Sequence, residues 1–321
     1  MTNYFRTLAW FAALIAASLP CASLAQSYPN RPVHVIVPQP PGGVDTVARV
    51  IVQKLSQSLG QPFVVENRPG ASGTIGTAAV AKAAPDGYTL LINASVHIIN
   101  SFIFKALPYD ALRDFTPITE IGSTPLVVAV HASVQAKELK DLVQLGAGRK
   151  LNWAIAGYGS ADHLTAEALK LNLGVALQTV PYKGLGPAIT DLVGGQVHGM
   201  SIPILPALAH LRSGKIRALA VTSSRRVPGL PAVPTVGESG LPGFELSTWY
   251  GIWGPKGLPR DIAARIQTET ARAIGSAEVR QRLPVESFEL IASTPEDFAR
   301  TIELEAAKYS AIVRKANLTA E

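Results

Sequence analysis

The sequence predicts an α/β fold of two lobes, each built on a largely parallel sheet. Three observations predict it. The 321 residues exceed the roughly 100–200 of a typical domain. Short β-branched runs alternate with helical patterns, and strand, loop and helix recur in that order in two blocks. The composition, 47% hydrophobic and 16% charged, is that of a chain with a packed core, not a disordered one.

The first block opens with VHVIVP at 33–38, a β-branched run closed by proline that reads as a buried strand. A Pro/Gly loop follows, then an apolar face of Val47, Val50, Ile51 and Leu55 predicts a helix from Thr46 to Gly60. Further strands are expected at 63–66 and 88–92, with a helix over 75–84 between them. The second block repeats the scheme. Strands are expected at 125–130, 151–155, 179–181 and 216–222, and helices at 139–145, 163–171, 187–192 and 207–213. Two amphipathic helices at 259–274 and 295–316 then return to the first lobe. The chain is expected to cross between lobes near Thr124 and Thr222, so that 26–124 plus 223–321 form lobe 1 and 125–222 form lobe 2.

The first 25 residues have a different character. Arg6 supplies a positive start, the stretch from Leu8 to Leu19 is apolar, and Ser23 and Ala25 are small residues flanking Leu24. About a dozen apolar residues suit a secretory signal and fall short of the roughly 20 that span a bilayer. The expectation is a cleavable leader at 1–25, cut after Ala25, and a periplasmic product. Cys21, the single cysteine, leaves with that leader, so no disulfide and no thiolate metal site is expected.

Three glycine-rich loops sit between a strand and a helix: Pro41, Gly42, Gly43, Val44 and Asp45; Gly70, Ala71, Ser72, Gly73 and Thr74; and Gly157, Tyr158, Gly159 and Ser160. In open α/β sheets, ligands bind outside the carboxyl ends of the strands, where such loops lie. A helix N-terminus there presents unpaired N–H groups and partial positive charge, which is an anion site needing no charged side chain. The spacing of Gly70, Gly73 and Gly76 does not match G-x-G-x-x-G, and no P-loop is present. No cofactor and no metal are expected; the six histidines show no H-E-x-x-H spacing. Ser160, Asp162 and His163 are residue types a hydrolase uses, but Asp162 stands where a nucleophile elbow needs its second glycine. Hydrolysis stays a remote alternative, with no catalytic residue expected. The net charge of +6 is scattered, with no basic run beyond Arg225 and Arg226, which argues against a nucleic-acid partner. Among the aromatics, Trp249 with Tyr250 is the pair expected at the cleft.

At these loops the chain resembles a known family. The carrying stretches include YPNRPVHVIVPQPPGG (28–43), LGQPFVVENRPGASGTIG (59–76), PDGYTLL (85–91), GYGSADHL (157–164), VPYKGLGPAITDLVGGQV (180–197) and WYGIWGPKGLP (249–259). In their order and number they resemble the solute-binding receptors of the tripartite tricarboxylate transporter family, also called Bug receptors. The resemblance implies a two-lobed periplasmic-binding fold, type II-like, closing like a hinge on a small carboxylate. It implies that backbone amides and hydroxyls of the two first-lobe loops hold the carboxylate, with a contribution around Gly159 and Ser160. It also implies membrane permease subunits as partners and a monomeric receptor; a sensor subunit serving a signalling partner is the alternative. Two departures from the family pattern stand out. The first loop is one residue short, with Val44 alone between Gly43 and Asp45. His198 and Ile202 replace two aspartates, the second of which lies near the ligand in the family pattern. The expectation is a ligand without a free amine and with more apolar character.

Overall fold

Alternation along the strands places the core. In the computed structural model, which describes residues 28–283 and 288–319, β1 (Val33–Val37) lies between β2 (Phe63–Asn67) and β3 (Thr89–Ala94), parallel to both. Leu90 and Ile92 of β3 point into one apolar layer and Leu91 into the other. Both faces are therefore covered, as a parallel sheet requires. The leader expected at 1–25 lies outside the described residues.

The connecting helices follow from local signals. Gly43 begins α1 (Val44–Leu59), and Gly60 ends it in a left-handed conformation that only glycine adopts without strain. The helix α2 (Thr74–Ala81) follows the second glycine loop, and α3 (Val96–Ile103) follows β3. No element is expected from the sequence over α3, because its eight residues VHIINSFI make only about two turns, too short a stretch for a helical period to stand out.

The crossing is made by one long strand. β4 (Phe115–His131) runs 17 residues, where a short strand at 125–130 was expected. Its first part pairs antiparallel with β9 (Ser247–Pro255) and with β10 (Glu289–Leu290). Its last part, from Leu126 onward, pairs with β7 (Gly199–Pro203) and, from Val127, with β8 (Ile216–Val221). β5 (Leu151–Ile155) then joins β7 to β6 (Leu177–Pro181), parallel to both. One continuous sheet results, in the order β2-β1-β3-β9-β4-β7-β5-β6.

The central half carries α4 (Leu139–Gly148), α5 (Ala161–Leu173), α6 (Leu185–Val193) and α7 (Ile204–Arg212). Val128, Trp153 and Leu169 fill one of its faces, and Val127, Ala154 and Met200 the other. Close fit shows at Gly199, where an added Cβ would lie 2.1 Å from the Trp153 ring. The C-terminal helices are α8 (Arg260–Gly275), α9 (Ala277–Arg282) and α10 (Pro295–Lys315). α8 packs on α1, while α10 packs on α3, β4 and α5. At the second crossing, Thr222 ties the strands together: its Oγ1 accepts from Leu126 N–H at 2.8 Å and donates to Leu246 O at 2.5 Å.

Candidate functional site

Six helices start at one cavity. It encloses about 670 Å³ between the two halves of the sheet. The residues that cap the N-termini of α1, α2, α3, α5, α6 and α7 are Gly43, Gly73, Ser95, Ser160, Gly184 and Pro203, and all six line it. Five of them make no side-chain capping hydrogen bond; only Ser160 does, accepting from His163 N–H. Unpaired amides and the positive ends of several helix dipoles thus converge on one volume. Much of its wall is apolar, including Pro40, Pro41, Val44, Val96 and Leu185.

Loop 1 enters α1 directly. Gly42 and Gly43 have φ of +106° and +42°, conformations that side-chain-bearing residues rarely adopt. The helix begins at Val44, two residues earlier than expected, which moves Asp45 out of the loop and into the first turn. Asp45 is buried; it accepts from Arg49 Nε at 2.9 Å and from Asn67 Nδ2 at 2.9 Å. Asn67 Nδ2 also donates to Gln39 O at 3.0 Å. Asp45 therefore braces the loop and does not line the cavity.

Loop 2 stores strain. Ala71 and Ser72 are left-handed at φ of +44° and +53°, flanked by Gly70 and Gly73, also at positive φ. Such non-glycine residues cost on the order of 1–3 kcal/mol each and persist only where surroundings hold them. Asn100 of α3 supplies one hold, donating to Ser72 O at 3.0 Å. The Gly73 N–H bond to Gly70 O at 2.9 Å supplies another. Ala71, Ser72 and Gly73 line the cavity; Thr74 is buried behind them.

On the central half, Tyr158 and Ser160 line the cavity while Gly159 does not; a Cβ built on it would lie 2.5 Å from Asn100 Oδ1. Ser160 Oγ donates to Gly157 O at 2.6 Å, and His163 Nδ1 accepts from Gly159 N–H at 3.3 Å. Burial pushes the His163 imidazole down to about 4. Asp162 Oδ2 accepts Ala156 N–H at 2.6 Å. Burial is the largest influence on this carboxyl and pushes it up to about 6 from an ordinary 3.8, against hydrogen bonds that lower it. Between those values the native state holds a proton that the unfolded state has lost. The stabilisation is complete below the lower value and disappears as pH rises through the upper one, at about 1.4 kcal/mol per unit. Asp162→Asn keeps an acceptor for Ala156 and is expected to remove this decline. Denaturant unfolding at about pH 4.5 and 7 checks it; equal pH dependence in both proteins refutes it.

Several expected site residues lie elsewhere. Trp249 and Ile202 are fully or almost fully buried. β9 alternates faces, so Thr248 and Tyr250 line the cavity and Trp249 faces the α10 layer, donating from Nε1 to Tyr309 OH at 2.9 Å. Ile202 points into the apolar layer with Val127 and Met200, while its neighbour Pro203 reaches the cavity. His198 accepts Asn152 N–H through Nδ1 at 2.8 Å, outside the cavity wall. His198 and Ile202 therefore give the cavity no surface; its apolar wall comes from the prolines and aliphatic side chains of the loops. Conversely, a fourth loop at 182–187 supplies Tyr182, Lys183, Gly184 and Leu185 to the wall. Its signal was present, a glycine before a helix as in the other three.

The halves touch across the cavity. A Cβ built on Gly184 would lie 3.0 Å from Pro40 Cγ, and one on Gly43 would lie 4.0 Å from Leu185 Cδ2.

Similarity to known proteins agrees with this arrangement. The tripartite tricarboxylate transporter family receptor matches over residues 47–318. BugT of Bordetella pertussis is 37% identical over 321 residues, covering 98% of this chain and 98% of that protein. Rpa4515 of R. palustris, solved with adipate, is 34% identical with a TM-score of 0.86, covering 91% of this chain and 99% of that one. MatC from Rhodopseudomonas palustris, solved with bound malate, is 34% identical with a TM-score of 0.83, covering 89% and 100%. The two-lobed α/β fold is that of periplasmic binding proteins, and the resemblance read from the loops holds along the whole described chain. This chain belongs to the tripartite tricarboxylate transporter receptor family.

Proposed function

We propose that this protein captures a small carboxylate in the periplasm, delivers it to the membrane permease of a tripartite transporter, and performs no chemistry on it. The carrying observation is the convergence of six helix N-termini on one enclosed, largely apolar cavity. Such a site holds an anion through backbone N–H groups and excludes water from the rest of the ligand. Adipate and malate in the two R. palustris neighbours support the ligand class.

In this reading Pro41, Gly42, Gly43, Val44, Ala71, Ser72 and Gly73 form the first-lobe half of the site. Ser160, Gly184 and Leu185 form the second. The lobes are 26–124 plus 223–321 and 125–222, with strand crossings at Thr124 and Thr222 as the hinge. The absence of chemistry is supported by Ser160, whose Oγ donates to Gly157 O and accepts from the backbone N–H of His163, while the His163 ring accepts from Gly159 N–H. A periplasmic site is supported by the family and by the leader-like residues 1–25. Among the described residues, no helix is long and apolar enough to cross a membrane.

Thermal unfolding tests the proposal. Protein stripped of ligand by unfolding and refolding is scanned with malate, adipate, glutamate and benzoate. A ligand at about 100 times its Kd stabilises by about 2.7 kcal/mol, a rise of about 4–5 °C for a chain of this order of size. One or more carboxylates should produce it; flat responses to all four overturn the reading.

A further inference from the structure

Two further contacts cross between the halves, where loop 2 and its support meet the loop at 157–160. A Cβ built on Gly157 would lie 3.9 Å from Ser72 Oγ, and one on Gly159 would lie 2.5 Å from Asn100 Oδ1. The second approach is closer than the 3.0 Å between Gly184 and Pro40. Neither Gly159 nor Asn100 lines the cavity, so this contact is made behind its wall.

Asn100 is buried, and its amide is used unevenly. Nδ2 donates to Ser72 O at 3.0 Å, while Oδ1 has no hydrogen-bond partner among the described residues. Gly159 offers it none, because the Gly159 N–H goes to His163 Nδ1. A buried acceptor without a donor is costly and calls for a reason. The reason is the other end of the amide. Turned over, it would set Oδ1 against Ser72 O, acceptor against acceptor. The bond to Ser72 therefore fixes the amide as it lies and leaves Oδ1 toward Gly159.

That bond bears on the anion site. Ser72 is left-handed at φ of +53° and lines the cavity, and such a conformation needs support from its surroundings. Asn100 gives that support from the first half of the sheet and abuts Gly159 of the central half. Tethered to Ser72, the amide cannot swing away from Gly159 without releasing loop 2.

We infer that Asn100 is a positioning residue that couples the shape of loop 2 to the approach of the central half, so that carboxylate capture and lobe closure reinforce each other. This rests on the carboxylate-receptor reading above. Asn100 touches no ligand; it acts through Ser72 on one side and Gly159 on the other. Such a coupling is reciprocal, so disturbing either contact weakens capture.

A double-mutant cycle read by calorimetry on the ligand-stripped full chain tests this, with malate, adipate, glutamate and benzoate as probes. Asn100→Ala should weaken the acids that wild type binds by about tenfold, since loop 2 loses its support. Gly159→Ala should weaken them by about tenfold or more, because its methyl meets the tethered amide. The strain of alanine at a φ of +76° is present with and without ligand, so it cancels from affinity. In the Asn100→Ala background the amide is gone, and adding Gly159→Ala should cost about threefold or less. Thermal unfolding of the four ligand-free proteins separates positioning from packing: the non-additivity should be large in affinity and small there. Unchanged or tighter binding by Asn100→Ala overturns the inference. So does an equal loss from Gly159→Ala in both backgrounds, or a non-additivity at least as large in ligand-free unfolding, which marks permanent packing. Should Asn100→Ala not fold by circular dichroism, Asn100→Ser takes its place in the same cycle. If wild type binds these acids and the cycle is additive, the receptor reading stands and the role of Asn100 falls. If wild type binds none of the four, both fall.

Discussion

Gly43→Val is expected to abolish carboxylate binding, with an affinity loss on the order of a hundredfold or more, while leaving a folded protein. Gly43 combines a φ of +42° with a ψ of −109°, a region that a β-branched residue adopts only at high cost. Relief of that strain must rotate the peptide entering α1, which is the peptide that presents the helix N-terminus to the cavity. The side chain would also grow toward Leu185, whose Cδ2 lies 4.0 Å from the Cβ position, and so oppose closure. Gly60→Ala is the control. Gly60 has a positive φ of +70°, with nothing within 4 Å of an added Cβ, at the other end of the same helix. It should cost about 1 kcal/mol of stability and leave affinity unchanged. Calorimetry with the ligand found by thermal shift, alongside circular dichroism, measures both variants. Retained binding in Gly43→Val contradicts the assignment of loop 1 as the anion site.

Trp249→Ala should produce the opposite pattern, a large loss of stability with unchanged affinity. The Trp249 ring is packed 5.7 Å from Phe298 and 6.0 Å from Trp253, centroid to centroid, and its Nε1 donates to Tyr309 OH. Deleting such a side chain costs about 3–5 kcal/mol through lost burial and the cavity left behind. Trp249→Phe refills most of the space and leaves the buried Tyr309 hydroxyl without its donor, a cost of about 1–3 kcal/mol. Denaturant unfolding reads both. A tenfold fall in affinity with little change in stability would return Trp249 to the binding site.

These two residues show what a linear reading captures. Gly43 was legible because its role is local. A glycine pair between a buried strand and an amphipathic run is a backbone signal, and positive φ follows from the turn itself. The same holds for Gly70, Gly73 and Ser160, each beside a strand end and a helix start. Trp249 was misplaced because its side depends on the phase of β9. That phase is set by pairing with β3 and β4, where Trp249 stands opposite Ser123 and Tyr250 opposite Gly122. A shift of one residue exchanges the cavity face for the buried one. Ile202 failed for the same reason in β7, where it stands opposite Val127. α3 went unread because its eight residues, five of them apolar, are too few for a helical period to be told from a strand. Asp45 was assigned to the loop because nothing in the sequence indicates that Gly43, rather than a later residue, caps α1.

By itself the sequence determined the α/β class, the leader-like first 25 residues, the glycine loops at strand ends and, through their motifs, the family. Each depends on composition or on contacts within a few residues. The tertiary structure decided which face of β9 and β7 meets the cavity, that β4 runs unbroken through both halves, and that six helix N-termini share one volume. Those properties depend on register, crossing and packing between segments far apart in the chain, where local propensity carries no information.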